Sequence, residues 1–369
     1  MDNNHTKNKP DKLTRNTVFK KETPPKAGRR WTKVLGLVAI MAVALGVGYG
    51  LKAYFSIQHT VNQAYRPNGK VSQNVAKKKP ISVLILGVDT GIEGRKDQGN
   101  SDTMILATIN PQTKKSTLTS VPRDLLAEIK GTNNFYMAKV NSAYNVDGVR
   151  AASKTVQSML NVPVNYYVEV DMQALENLVD AVGGIDVNVK FDFTYNTTFK
   201  KGRQHLTGKQ ALDYARMRKE DPKGDYGRQK RQREVITSIV HEGLSMKGIS
   251  NYQKILKVVA KYVKTDMSFD DMMNLAMNYR GAAGDIKSDY IHGHDAWIGG
   301  AAYQVAATTE LQRVSDKVRG ALGIDKEELD NELTRQNSLN TLVDWNDLNA
   351  FTNYIIYDKD SDTMPWQGY

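Results

Sequence analysis

Cysteine is absent from all 369 residues. Disulfides, thiolate metal sites and thiol nucleophiles are thereby excluded, and an exported domain of this chain is stabilised by its own core, which a 40% hydrophobic content permits. Charge is absent from Val34 to Leu51, and only Lys52 interrupts the apolar run to Phe55. A run of about 20 apolar residues crosses the roughly 30 Å bilayer core as a helix, and this one has no polar face suited to the surface of a soluble domain. Also missing are a GK[ST] phosphate loop and a Gly-x-Ser-x-Gly elbow, so neither P-loop nucleotide chemistry nor acyl-transfer hydrolysis is supported. His292 and His294 with Asp295 make only a weak HxHD string, without a third well-spaced ligand for zinc.

What is present is unevenly placed. Before Val34 stand seven Lys and three Arg against Asp2, Asp11 and Glu22, an excess of seven in the overall +11. Positive flanks stay in the cytoplasm, so residues 1–33 read as a cytoplasmic disordered segment, 34–55 as an uncleaved signal anchor, and the rest as extracellular. A cleaved signal peptide is the rival reading; its hydrophobic region would be shorter. Residues 56–79, with Lys77, Lys78 and Lys79, read as a solvated linker, or as a segment touching anionic head groups. Of the +4 left outside the cytoplasmic segment, residues 200–233 hold twelve Lys/Arg against four Asp/Glu, so the remainder is slightly acidic. The exported part has one basic focus.

Ile81 to Val88 is a nearly continuous apolar run of strand length, which predicts a central strand covered on both faces. A loop with Gly91, Gly94 and Gly99 follows, then a hairpin pattern from Thr103 to Val121 around Asn110-Pro111. Periodicity predicts helices over 148–160, 172–182, 251–263 and 309–322, and strands over 166–170 and 185–189. Thr207 is an N-cap, Gly227 precedes a longer helix, Ser268 with Asp271 forms a capping box, and 297–305 reads as a late strand. Alternating strands and helices predict an α/β fold, one domain over 80–325 whose mixed sheet is covered by helices on both faces. Residues 326–369 form a tail of unassigned role, partly disordered or an appended strand.

Asp89 stands at the carboxyl end of the buried strand, where α/β proteins place ligands, and Asp102 returns at the far end of the Gly-containing loop. Either each caps a loop, or the two close on one oxygen-loving cation such as Mg²⁺. Arg123, fixed by Pro122 at a strand end, either pairs with Asp124 on the surface or serves the same sheet edge. Arg216 and Arg218 converge only if their helix ends near Met217. Arg228 begins the next helix, with Gln232 at i+4 on its face, and a helix amino terminus favours anions. Asp213, Asp221 and Asp225 interleave with these bases, an arrangement that would repel a phosphate backbone and, with the topology, excludes nucleic acid as a partner. Arg231 and Arg233 fall on flanking faces.

In order and spacing, GVDTGIEGR, SDTMILATINPQTKK, SVPRD, KVNSAYN, VNYYVEVDMQALENLVDAVGGIDVNV and LTGKQALDYARMRKEDPKGDYGRQKRQREVI resemble the LytR-CpsA-Psr family over roughly Ile81 to Leu322. The resemblance implies a phosphotransferase that takes a glycopolymer, teichoic acid or capsular polysaccharide, from an undecaprenyl-pyrophosphate carrier and joins it to peptidoglycan through a phosphodiester. It implies Mg²⁺, or Mn²⁺ in its place, on Asp89 and Asp102. It also implies pyrophosphate contacts from Arg123, Arg216, Arg218, Arg228 and Gln232 with Asp225 assisting, and a hydrophobic tunnel that helices 148–160 and 172–182 would wall. Asp89 is the candidate general base. Asn100 stands where the family has arginine, so Arg95 or Lys96 takes over that charge, or the activity or polymer preference differs. A lipid-pyrophosphate phosphatase, a non-catalytic wall-polymer binding protein and a membrane-tethered regulator are the alternatives.

Overall fold

In the computed structural model the described residues are 63–67, 72–88, 99–245, 251–347 and 352–366. The signal anchor expected over 34–55 and the residues Asp89, Arg95 and Lys96 lie outside them. Among the described residues no helix is long and apolar enough to cross a membrane.

Strands β1 (Ile81–Val88), β2 (Ser101–Asn110), β3 (Lys115–Ser120), β4 (Leu126–Glu128) and β5 (Met137–Lys139) precede helix α1 (Ser142–Leu160). Then come β6 (Tyr166–Asp171), α2 (Met172–Val182), β7 (Ile185–Val189), β8 (Phe193–Thr194), β9 (Thr198–Phe199), β10 (Gly202–Leu206), α3 (Gly208–Arg216) and α4 (Gly224–Gly243). The chain continues through α5 (Tyr252–Tyr262), β11 (Val263–Thr265), α6 (Phe269–Asn278), β12 (Ile286–Tyr290), β13 (His294–Ile298), β14 (Ala301–Val305), α7 (Thr308–Leu322), α8 (Glu332–Leu339) and β15 (Thr352–Asn353).

The main sheet runs β11-β6-β1-β2-β3-β12 and is mixed: β1 pairs antiparallel with β2 and parallel with β6. Alternation in the β1 run explains its continuous apolarity. Leu84, Leu86 and Val88 face one core with Met104, Leu106 and buried residues of α1 and α7. Val83 faces the other with Ile105 and Tyr166, against which Ile85, Val168 and Ile236 pack. Beside this second face α2, α3 and α4 close a smaller core over the β7–β10 ribbon, centred on Phe193, Phe199 and Tyr214.

Three boundaries differ from the sequence reading, each for a local reason. Helix α1 starts at Ser142, but Asp147 (φ −149°) and Gly148 (φ 55°) break it, and the periodic pattern belongs to the piece after the break. Helix α4 starts at Gly224, so Gly227 lies inside its first turns rather than before it. Residues 297–305 are two strands, β13 and β14, turned by Gly299-Gly300, both at positive φ. The tail is ordered where described: β15 lies parallel to β13, and Tyr354 and Ile356 enter the main core.

Of the segment 56–79, residues 63–67 and 72–79 are described, and they pack on the domain. Tyr65 bridges Thr265, Arg66 N donates to Thr265 O at 2.6 Å, and Thr265 N donates to Ala64 O at 2.9 Å. Val75 is fully buried, and the hydroxyls of Tyr166 and Tyr279 donate to Ser72 O and Lys79 O.

Candidate active site

A cavity of about 430 Å³ opens between the sheet face of β1 and β6 and helices α2, α3 and α4. Its walls are apolar, with Ile85 and Val168 from the sheet, Leu175 and Leu178 from α2, and Val235 and Ile239 from α4. Its polar lining includes Asp102, Arg216, Arg228 and Gln232. Helix α4 orders these in a gradient: Arg228, Gln232, Ile236 and Val240 recur every fourth residue on one face. From Arg228 to Val240 the helix rises about 18 Å. The cavity is thus shaped for an amphiphile, with an anion at the Arg228 end and hydrocarbon towards Val240. Of the two helices expected to wall a tunnel, α2 does so; α1 packs on the opposite sheet face.

Helix α3 begins with a capping box in which Thr207 and Gln210 exchange hydrogen bonds, and it ends at Arg216 because Met217 turns to ψ 133°. That exit separates Arg216 and Arg218 on an extended stretch, as their convergence requires. The stretch is held by Arg231, which donates from Nε to Tyr214 O at 2.9 Å and from Nη2 to Met217 O, and pairs with Asp221. Arg231 and Arg233 are therefore buried struts, not flanking surface cations. Arg233 donates to Ser288 and Ser120, and burial lowers its pKa to about 10, with the charge of Asp289 opposing the shift. Asp213 is likewise structural, accepting from Asn196 and Thr197. A Cβ on Gly227 would lie 2.0 Å from Asp221 Oδ2, so the lock on Arg231 requires glycine there.

Two arginine–aspartate pairs meet at the rim. Arg123 donates from Nη1 to Asp102 Oδ1 at 2.8 Å, while its Nε is 3.6 Å from Asp124, beyond hydrogen-bond range. Asp225 Oδ1 lies 2.5 Å from Arg228 Nη2 and 3.7 Å from Arg218 Nε. Buried Asp225 Oδ1, Arg123 Nε and Arg228 Nε make no aligned hydrogen bond, so the contact of Asp225 Oδ1 with Arg228 is one of charge and proximity. Arg228, at N5 rather than at the helix start, is pushed below the ordinary guanidinium range, first by burial and then by the like charges of Arg123 and Arg218; Asp225 and Asp102 offset this in part. Burial also pulls Arg123 down, but the hydrogen bond and charge of Asp102, with Asp124 and Asp225, outweigh it and raise its pKa.

Arg123, Arg216, Arg218 and Arg228 outnumber Asp102, Asp225 and Asp171, the last also on the cavity lining, and leave one positive charge at the rim of an apolar cavity. The positive excess and the forked guanidinium donors suit an anion such as a pyrophosphate diester, whose lipid the apolar cavity would take. Asp102, 46% exposed at its side chain, is a hard oxygen donor of the kind Mg²⁺ accepts beside phosphate oxygens, and in chemical type it fits that cation. Among the described residues no three His, Cys, Asp or Glu side chains gather as a ready-made metal cage. Gln229 was not singled out in the sequence, yet its Nε2 donates to Asp225 Oδ2 at 2.8 Å; the i,i+4 spacing was the available signal.

The model of the LytR_cpsA_psr family matches residues 49–320. An Enterococcus faecalis protein named polyisoprenyl-teichoic acid–peptidoglycan teichoic acid transferase TagU is 44% identical over 293 residues, 78% of this chain and 96% of that one. A crystal structure of a Streptococcus agalactiae protein superposes with TM-score 0.65 at 41% identity, covering 70% of this chain and 92% of the other. The structure described as TagT bound to LIIa-WTA superposes with TM-score 0.59 at 28% identity, over 70% of this chain and 95% of that one. On the extent of the family match and the identity to these relatives, the chain belongs to the LytR_cpsA_psr family.

Proposed function

We propose that this chain is a phosphotransferase that moves a glycopolymer from an undecaprenyl-pyrophosphate carrier to peptidoglycan, working from the membrane with its amino end cytoplasmic and its catalytic domain outside. The relatives' names support glycopolymer transfer to peptidoglycan. The observation that carries the reading at atomic level is the apolar cavity whose lining includes Asp102, Arg216 and Arg228 of the arginine–aspartate cluster.

The polyprenyl chain would lie along the Gln232–Val240 face of α4, placing the pyrophosphate among Arg123, Arg216, Arg218 and Arg228 with Gln232 as a neutral donor. A peptidoglycan hydroxyl attacks the phosphorus that carries the polymer. The new P–O bond forms as the bond to the bridging oxygen breaks, undecaprenyl phosphate leaves, and the hydroxyl proton passes to a base, for which Asp89 is the candidate. Charge spreads over the non-bridging and departing oxygens in this step, so guanidinium groups fixed by Asp102 and Asp225 stabilise it without reorganising. Mg²⁺, held by Asp102 with Asp89, would supply further neutralisation of that charge.

The full chain in nanodiscs, given lipid-linked polymer and peptidoglycan, tests this. Equal yields of undecaprenyl phosphate and attached polymer are expected. Phosphate-lipid release without attachment would instead identify a phosphatase, and binding without turnover would sink the enzyme reading. A cysteine introduced just after Phe55 should label from outside only, and Mg²⁺ withdrawal should stop turnover.

A further inference from the structure

The family match ends at residue 320, so α8, β15 and the turn carrying Trp366 lie beyond it. This extension is firmly attached. Gln336 bonds the backbone of Tyr357 through both its oxygen and its nitrogen, Asn340 bonds Ile355, and Tyr354 donates to Asn337 Oδ1 at 2.8 Å. Trp366 N donates to Ile356 O at 2.8 Å, which seats the indole 6.2 Å from the ring of Tyr136.

From Trp366 the half-buried aromatic groups lead back to the active site. Tyr303, like Tyr136 and Trp366, packs half-buried against the main core, and the hydrogen bond from Gln304 N to Asp124 O at 2.9 Å brings its strand to Asp124. Lys139 Nζ sits 5.3 Å from the Tyr303 ring centre and 2.8 Å from Asp124 Oδ1. Asp124 adjoins Arg123, whose other partner is Asp102 on the cavity lining. The strip therefore runs from the pyrophosphate cluster out to a surface that residues beyond the family match help to build.

We propose that the strip Trp366–Tyr136–Tyr303–Lys139 is a docking subsite for the sugar backbone of the acceptor peptidoglycan strand; this rests on the transfer reading. Aromatic faces with one polar edge suit the apolar faces of pyranose rings, and the Lys139–Asp124 pair offers donors and acceptors to hydroxyls. Charge decides between acceptor and donor polymer. Residues 326–369 carry nine Asp/Glu against three Lys/Arg, and Lys139 is already neutralised by Asp124. Such a surface disfavours a phosphate-rich polymer and accepts an uncharged sugar backbone.

The test uses the full chain and sacculi stripped of wall polymer, without lipid donor. Wild type is expected to co-sediment, Trp366→Ala to bind about tenfold more weakly, and Trp366→Phe to restore most of the binding. In turnover assays the same Trp366→Ala change should raise the acceptor KM and leave the donor KM and kcat unchanged. Should Trp366→Ala lower the melting temperature, Tyr303→Ala decides, since that residue is carried by β14 within the family match. Wild-type sedimentation by both alanine variants, or a change in donor KM in place of acceptor KM, overturns the subsite. Aromatic-dependent sedimentation without any turnover would support the subsite and reject the transfer reading.

Discussion

Asp225 stands between two arginines that reach it from different elements, Arg228 one turn further along α4 and Arg218 on the stretch leaving α3. Gln229 fixes the carboxylate from its other oxygen. One aspartate thus sets the spacing of two guanidinium groups that would otherwise repel.

Asp225→Asn removes that spacing while keeping the shape. Turnover is expected to fall by about a hundredfold, the scale of losing one fixed electrostatic contact in a transition state. Steady-state kinetics with lipid-linked polymer checks it; a loss below threefold would remove Asp225 from the site.

Arg231→Leu leaves Asp221 charged and buried, and is expected to destabilise the domain by about 3–5 kcal/mol, read by urea denaturation. The double change Arg231→Leu, Asp221→Leu should recover much of that stability without recovering activity, because the backbone before Arg218 loses its anchor. Full activity in the double variant would show that the anchor is dispensable.

Asp266 has its pKa raised to about 6, chiefly by burial and further by Asp271, while the hydrogen bond from Tyr167 N opposes the shift. A carboxyl whose folded pKa exceeds its unfolded value holds its proton better when folded. Its favourable contribution is therefore complete below pH 3.8 and is lost as pH rises towards 6. Asp266→Asn should be more stable than wild type by roughly 2–3 kcal/mol at neutral pH and should lose that slope. Melting temperatures from pH 4 to pH 8 measure both.

Asn100 is exposed one residue before β2, two before Asp102. Asn100→Arg is expected to lower the donor KM about threefold, consistent with an added exposed charge contact of under 1 kcal/mol, with no change in stability. An unchanged KM would show that the arginines already present suffice.

The parts legible in the sequence are those decided within a few residues. The β1 run, the Thr207 and Ser268 caps and the period of α2 each announce themselves locally, and each stands as read. Arg231 and Arg233 were not legible as struts because their partners lie 17 residues away at Tyr214 and 113 away at Ser120. Nor does sequence separate cavity walls from core: Val235 packs in the smaller core and also lines the cavity. The pairing of Arg123 was open between two partners, and the structure hydrogen-bonds it to Asp102 across the sheet edge while keeping Asp124 within ion-pair reach.

The docking of Ala64, Tyr65 and Arg66 against Thr265 has a consequence for the sheet. β11 is an edge of the main sheet, and the backbone of Ala64 to Arg66 occupies its outer hydrogen-bonding groups at Thr265. The segment ahead of β1 thereby shields that edge from pairing with a strand of another molecule.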